Sequence, residues 1–333
     1  IALTTYAGSS TVILPATGAN KKAAIHAGID SLTSGGGTHM DSGMNLAYET
    51  ASGSYLYGAE NRVVVLSDGD ANIGVDGGLG TLEISNSELG FLQEGFSEII
   101  FGGPTFGGAG IATINIGPGG YTYMDGVHFN AGTPGATTGH VNAANDVNST
   151  GGATSTVTMS AGATSSIDLS ANITTAGGAV QLNGNVDVSG ARTIDTGAVA
   201  ADITVTGTIG GVANDGTDTL TLDADGATSD ADVTLMGAYG PAAERMGTLT
   251  IDANDISVNS VEVTDDVFAP NSIAGTITLT GSTIKTIGTG GAITFNRPVV
   301  LSAGGTIISV DTSANNDNII FQETINDTMS NDA

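Results

Sequence analysis

From about residue 78 onward the chain repeats one short phrase many times. Two or three apolar residues alternate with Thr, Ser, Asp or Asn, and a gap of Gly, Asn or Asp follows. Ile99-Ile100-Phe101, Ile111 to Ile116, Val157-Thr158-Met159, Ile167-Asp168-Leu169, Val180-Gln181-Leu182, Val186-Asp187-Val188, Ile203-Thr204-Val205 and Leu220-Thr221-Leu222 have this form. Val233-Thr234-Leu235, Leu249-Thr250-Ile251, Ile256-Ser257-Val258, Ile277-Thr278-Leu279, Ile293-Thr294-Phe295 and Ile307-Ile308 continue it. A period of two is that of a strand with one buried face, and the punctuating residues are turn formers. Many short strands with few aromatics predict a stacked β array.

The array carries an internal repeat. Gly177-Gly178-Ala179-Val180-Gln181-Leu182-Asn183 recurs as Gly290-Gly291-Ala292-Ile293-Thr294-Phe295-Asn296, 113 positions later. Val186 to Ser189 matches Val299 to Ser302, and Thr193-Ile194 matches Thr306-Ile307, at the same offset. Asp202 to Ile209 then matches Asn318 to Ile325, displaced by three more residues. A strand pattern that persists while its turns change length is the behaviour of a solenoid, and it makes the repeat a stack of rungs. The region resembles the right-handed parallel β-helix of filamentous-haemagglutinin-like bacterial surface adhesins, with Ser87 to Leu92, Ile99 to Gly102 and Ile114 to Gly117 as its entry. Coils of roughly 20 to 25 residues would number about ten, a rod on the order of 50 Å at ~4.8 Å per strand. Stacked β-sandwich modules are the alternative.

Residues 1–77 read differently. Ile1 to Tyr6 and Thr11 to Leu14, separated by Gly8-Ser9-Ser10, predict a β-hairpin. Asn20 to Leu32 places Ala24 or Ile25, Ile29 and Leu32 at helical spacing, with Asn20 as its N-cap. After the Gly-rich segment Ser34 to Thr38, a second helical pattern runs from Asp41 to Ala51, with Met44, Ala47, Tyr48 and Ala51 on one side. The continuous apolar run Arg62 to Leu66 reads as a central strand covered on both faces, and Ser67 to Asn72 follows at its carboxyl end, where open α/β sheets place ligands. The expected division is a partial α/β module at 1–77 and a β-helix at 78–333.

The hairpin, the Gly35-Gly36-Gly37-Thr38 loop, Asn45 to Glu49 and Asn61 to Asn72 together resemble a truncated bacterial von Willebrand factor type A domain. That family holds a divalent cation with a D-x-S-x-S loop, a Thr and an Asp. The resemblance implies Thr38 and Asp68 as metal ligands, with Asp70 a second carboxylate nearby, and Ca²⁺ or Mg²⁺ as the cation suited to hard oxygens. The D-x-S-x-S loop belongs to a strand that would precede Ile1. The chain, beginning on Ile rather than Met, reads as a piece of something longer.

Charge narrows the partners. Against 34 Asp+Glu stand 7 Lys+Arg, a net charge of -27, which opposes nucleic acid and anionic membranes. No apolar run is long enough to cross a membrane as a helix, and no signal peptide is evident. Cysteine is absent, which removes disulfides, thiolate metal sites and Cys nucleophiles. His26 falls on the first helical pattern, His39 follows Thr38, and His128 and His140 read as turn residues without a paired carboxylate. Asp215-Gly216-Thr217-Asp218 and Asp223 to Asp232 concentrate carboxylates that either bind Ca²⁺ or serve as Asx-turn residues. The expectation is a non-enzymatic structural or adhesive segment of a secreted bacterial surface protein. Its partner would be a protein or glycan on a cell or matrix surface, or another copy of itself. A carbohydrate-active β-helix enzyme and a self-assembling extracellular filament are the alternatives.

Overall fold

The computed structural model describes residues 1–33, 40–57, 62–64, 89, 95–102, 112–116, 121–132, 139–224, 231–264, 268–272, 275–287, 292–302, 307–312 and 318–327. The chain starts with the antiparallel hairpin β1 (Leu3–Tyr6) and β2 (Ser10–Leu14), then α1 (Lys22–Asp30) and α2 (Met40–Ser52). The α2 pattern buries as its spacing requires. Met44 and Tyr48 form a small core with Val63, and Tyr6, Ala47, Ala51 and Phe96 pack around it.

Two details of this region differ from the sequence reading. Lys21, not Asn20, occupies the N-cap of α1 and makes no side-chain cap hydrogen bond. The helix buries Gly28, whereas Ile29 and Leu32 are 51% and 41% exposed, because the close approach to the hairpin is made by the face without a side chain. The described part of the apolar run 62–66 is not a strand covered on both faces. Val63 is buried but Val64 is 56% exposed, and its backbone makes a single parallel bridge to Ile100.

Beyond Ile99 every strand pairing among the described residues is parallel, and three sheets are visited in rotation, with one second-sheet strand missing between Val233–Leu235 and Leu249–Ala253. The first sheet stacks ten strands from Ile99–Gly102 to Ile325–Asp327. The third stacks nine, from Thr122–Tyr123 to Ile319–Phe321. The second runs in five strands from Ala112–Ile116 to Ile209–Gly211 and resumes in three, from Val261–Val263 to Ser309–Asp311. Between these blocks isolated bridges carry the ladder: Tyr239 bridges Ile209 on one side and Val261 on the other, Met246 bridges Val263, and the buried Tyr239 hydroxyl donates to the Thr248 carbonyl at 2.9 Å. This is a parallel β-solenoid. Its circuits range from the 19 positions between paired Ile167 and Val186 to the 30 between paired Val127 and Val157.

Register explains why such short strands suffice. In the first sheet Ile99, Val127, Val157, Val180, Ile203, Val233, Ile256, Ile277, Val299 and Ile325 stand directly above one another. Every member of that inward column is β-branched, the side chain that fits best on a pleated, half-buried surface. Val147, Ile173, Ile194, Leu222 and Ile251 form the matching column of the third sheet. Rings collect at the two ends of the described stack. Phe101 stacks on Phe129 at 5.4 Å with Tyr123 edge-on, and Phe295 stacks on Phe321 at 4.8 Å. Tyr48 meets Phe96 edge-to-face at 5.9 Å, which seats α2 against the beginning of the solenoid.

The internal repeat is real as a strand pattern but is not a whole number of rungs. Val180 lies in the first sheet and its counterpart Ile293 in the third; Val186 lies in the second and Val299 in the first; Ile203 lies in the first and Ile319 in the third. The pattern therefore returns one face out of step. The three faces present such similar inward columns that one sequence module serves on any of them.

At the first-to-second-sheet corner, glycines repeat for a steric reason. A Cβ on Gly207 would collide with the Gly184 carbonyl oxygen, and one on Gly237 with that of Gly207. Each turn rests its backbone on the turn below, leaving no room for a side chain.

Candidate functional site

The three residues expected to hold a cation, Thr38, Asp68 and Asp70, lie outside the described residues, as do His39 and the Asp225 to Asp230 part of the acidic turns. Among the described residues, no group of three or more His, Asp or Glu side chains is arranged to hold a metal ion.

The described Asp and Asn residues have a structural task that the sequence did not reveal. At the corners of a solenoid the sheet ladder breaks, and turn N–H groups lose their backbone acceptors. Side-chain oxygens from an adjacent coil replace them. Asp202 Oδ1 accepts from Asp232 N at 2.9 Å, Asp232 Oδ1 from Asp255 N at 3.1 Å, and Asp255 Oδ1 from Thr276 N at 2.5 Å. At the entrance to the third sheet, Asp146 Oδ1 accepts from Asn172 N at 3.0 Å and Asn172 Oδ1 from Thr193 N at 2.9 Å. Asp218, 4% exposed, accepts from Gly190 N at 2.6 Å and Ala213 N at 3.1 Å. Only some of the acids behave as local turn residues. Asp215 takes both the N–H and the hydroxyl of Thr217, at 2.9 and 2.7 Å, and these bonds hold its carboxyl below the usual range.

Acids also line up on the outer face of the third sheet. Asp195 pairs with Asp223 and Asp223 with Asp252, all in register. Asp232 is crowded instead by the other members of its own corner ladder. Partial burial pushes its carboxyl up from the ordinary value, the charges of Asp255 and Asp202 add to the rise, and hydrogen bonds from Asp255 N and the Asn254 side chain oppose it. A raised pKa in the folded state means that the ionised form is disfavoured by folding. The penalty is present at neutral pH and vanishes as pH falls through the raised value toward the ordinary carboxylate range. Asp232→Asn keeps an oxygen for Asp255 N and removes the charge. It is expected to raise the melting temperature at pH 7 by ~1–2 °C, with the gain closing as the pH approaches ~4. An equal effect at both pH values would show that charge is not the cause.

His128 and His140 are not turn residues. His128 lies in the strand Val127–Asn130 and His140 in Gly139–Ala143, each on the outward side of a strand whose single apolar pair hides it from pattern reading. His128 Nε2 is 2.9 Å from Ser160 Oγ, and burial lowers the pKa of the ring despite the opposing charge of Glu98. Ser160 is 6% exposed. His140 does have a carboxylate neighbour, since its Nδ1 lies 4.0 Å from Asp168 Oδ1. Asp168 also accepts from Ser166 Oγ at 2.6 Å. Stacking across coils creates these pairs, so the residues are far apart in sequence. Basic residues pair in the same way: Lys285 lies 4.0 Å from Glu262, and Arg297 lies 3.3 Å from Glu323.

The class this geometry defines is the parallel β-solenoid, with several of its corner polar atoms joining one coil to the next. No described helix is long and apolar enough to cross a membrane. The chain is similar, at 34% identity over 128 residues, to an uncharacterized Escherichia coli K12 protein, YfbK. That alignment covers 38% of this chain, which spans 22% of the length of YfbK. No protein-family model matches the chain. No solved structure matches it.

Proposed function

We propose that the chain is a non-enzymatic structural and adhesive segment of a large secreted bacterial surface protein. The solenoid is its stiff stalk, and residues 1–77 belong to a ligand-binding head of the von Willebrand factor A type. The observation that carries this reading is the unbroken first sheet. Ten parallel strands over a β-branched column make a rod on the order of 45 Å at ~4.8 Å per step. Side-chain ladders at the corners tie each coil to the next, so bending the rod would require breaking hydrogen bonds on one side. A net charge of -27 spread along such a rod keeps neighbouring copies apart.

In this reading Thr38, Asp68 and Asp70 offer hydroxyl and carboxylate oxygens to Ca²⁺ or Mg²⁺ in the head, and a protein or glycan on a cell or matrix surface is the partner. The test is attachment by bacteria displaying the protein. Asp68→Ala and chelation of divalent cations are each expected to reduce attachment at least tenfold. Deleting residues 78–333 is expected to abolish it by withdrawing the head toward the cell. Attachment unchanged by the deletion would end the stalk reading, and attachment indifferent to both Asp68→Ala and chelation would end the cation-dependent head.

A further inference from the structure

A polar groove of about 360 Å³ opens at the corner between the second and third sheets, where three successive coils meet. Asn145, Asp146 and Asn148 come from one coil, Ser170 and Ala171 from the next, and Arg192 from the third. Arg192 is fixed by its Nε, which donates to the Ser189 carbonyl at 2.6 Å. Its Nη groups make no hydrogen bond or ion pair within the described residues, and they remain as donors in a chain that has only 7 Lys+Arg. Asp146 is held from the other side, its Oδ1 accepting from Asn172 N at 3.0 Å. The groove thus lines one space with a cation and a carboxylate, each held by a hydrogen bond, together with two amides, a hydroxyl and the buried Ala171.

We propose that this groove binds one neutral pyranose unit of a glycan. Hydroxyls around one ring can donate to Asp146 and accept from Arg192 or Asn148, which satisfies donors and acceptors together. An anionic ligand would meet Asp146 at close range and the -27 field at long range, so charge selects against it despite Arg192. The volume lies at the small end of ligand sites, enough for a single ring and its substituents. With no aromatic residue in its lining, the groove lacks a stacking platform, and its affinity should be millimolar. The site stands on the solenoid and does not depend on the cation-dependent head.

Saturation-transfer NMR on the full chain tests this with methyl α-glucopyranoside, methyl β-galactopyranoside, N-acetylglucosamine and glucuronate, with inorganic phosphate followed by its phosphorus-31 line broadening. At least one neutral pyranose is expected to bind. Arg192→Gln should weaken that binding at least tenfold and Asp146→Asn severalfold, while Asp168→Asn, outside the groove, should leave it unchanged. Circular dichroism melts of each variant separate loss of binding from loss of fold. The proposal is overturned if no neutral pyranose binds at ~50 mM, if glucuronate or phosphate binds in their place, or if Arg192→Gln, still folded, binds as the parent does.

Discussion

Ile251→Asp is expected to unfold the middle of the solenoid. Ile251 is fully buried and pairs with Leu222 in the column of the third sheet. An aspartate there would place a carboxylate among aliphatic side chains with no donor aimed at it, a penalty of several kcal/mol even after its pKa rises. Since a domain is stable by only about 5–15 kcal/mol, one such charge can remove the coils around it. Each coil contacts mainly its neighbours, so the damage should spread by coil and leave the ends more structured than the centre. Hydrogen exchange should show protection lost first around residues 220–280, and urea unfolding should lose its single transition. Ile251→Val, which keeps the β-branch, should cost only about 0.5–1.5 kcal/mol. An aspartate variant with the parent's unfolding midpoint would mean that this column is not the core.

The second large effect is expected at a corner. Gly237→Val would drive a branched side chain into the Gly207 carbonyl, and the turn below cannot retreat because a Cβ on Gly207 would itself strike Gly184. Overpacking of this kind typically costs about 1–3 kcal/mol, and the stacked backbone puts Gly237 at the upper end. The measurement is the urea midpoint of Gly237→Val against that of Gly8→Val, where a Cβ would meet nothing within 4 Å. Equal, small losses at the two sites would refute the corner argument.

The strands that sequence reading found and those it missed divide on one physical point. Val157-Thr158-Met159 and Ile256-Ser257-Val258 advertise themselves because both inward positions are large and apolar. Gly139–Ala143 and Ile173–Thr175 do not, since a glycine, an alanine or a threonine fills an inward place that the neighbouring coils already keep dry. Ile307-Ile308 misleads in the opposite direction. It is apolar, yet Ile307 is 87% exposed and the strand begins only at Ser309. Near the N-terminus, local pattern located the hairpin and both helices but misjudged Ile29, Leu32 and Val64, whose burial depends on what packs above them. The polar interactions were the least legible. His140 and Asp168, Arg192 and Asp146, and the chain Asp202, Asp232, Asp255 are separated by a coil or more, with circuits of unequal length. No fixed spacing could reveal such partners. What could have pointed to them is the recurrence of Asp or Asn immediately before the first apolar residue of a strand, as in Asp202-Ile203, Asp232-Val233 and Asp255-Ile256.

The one-face slip of the internal repeat bears on how this rod meets other molecules. Where a repeat equals a whole number of coils, its copies form a straight row, and a flat surface can engage all of them together. Here Val180 and Ile293 mark equivalent modules on different sides of the prism. Any surface feature carried by both modules would face two directions, so a flat support could grip one copy while the other stayed open to solution. Multiplying the module lengthens such a rod and winds its equivalent patches around it, which favours bridging separate surfaces over tighter adhesion to one.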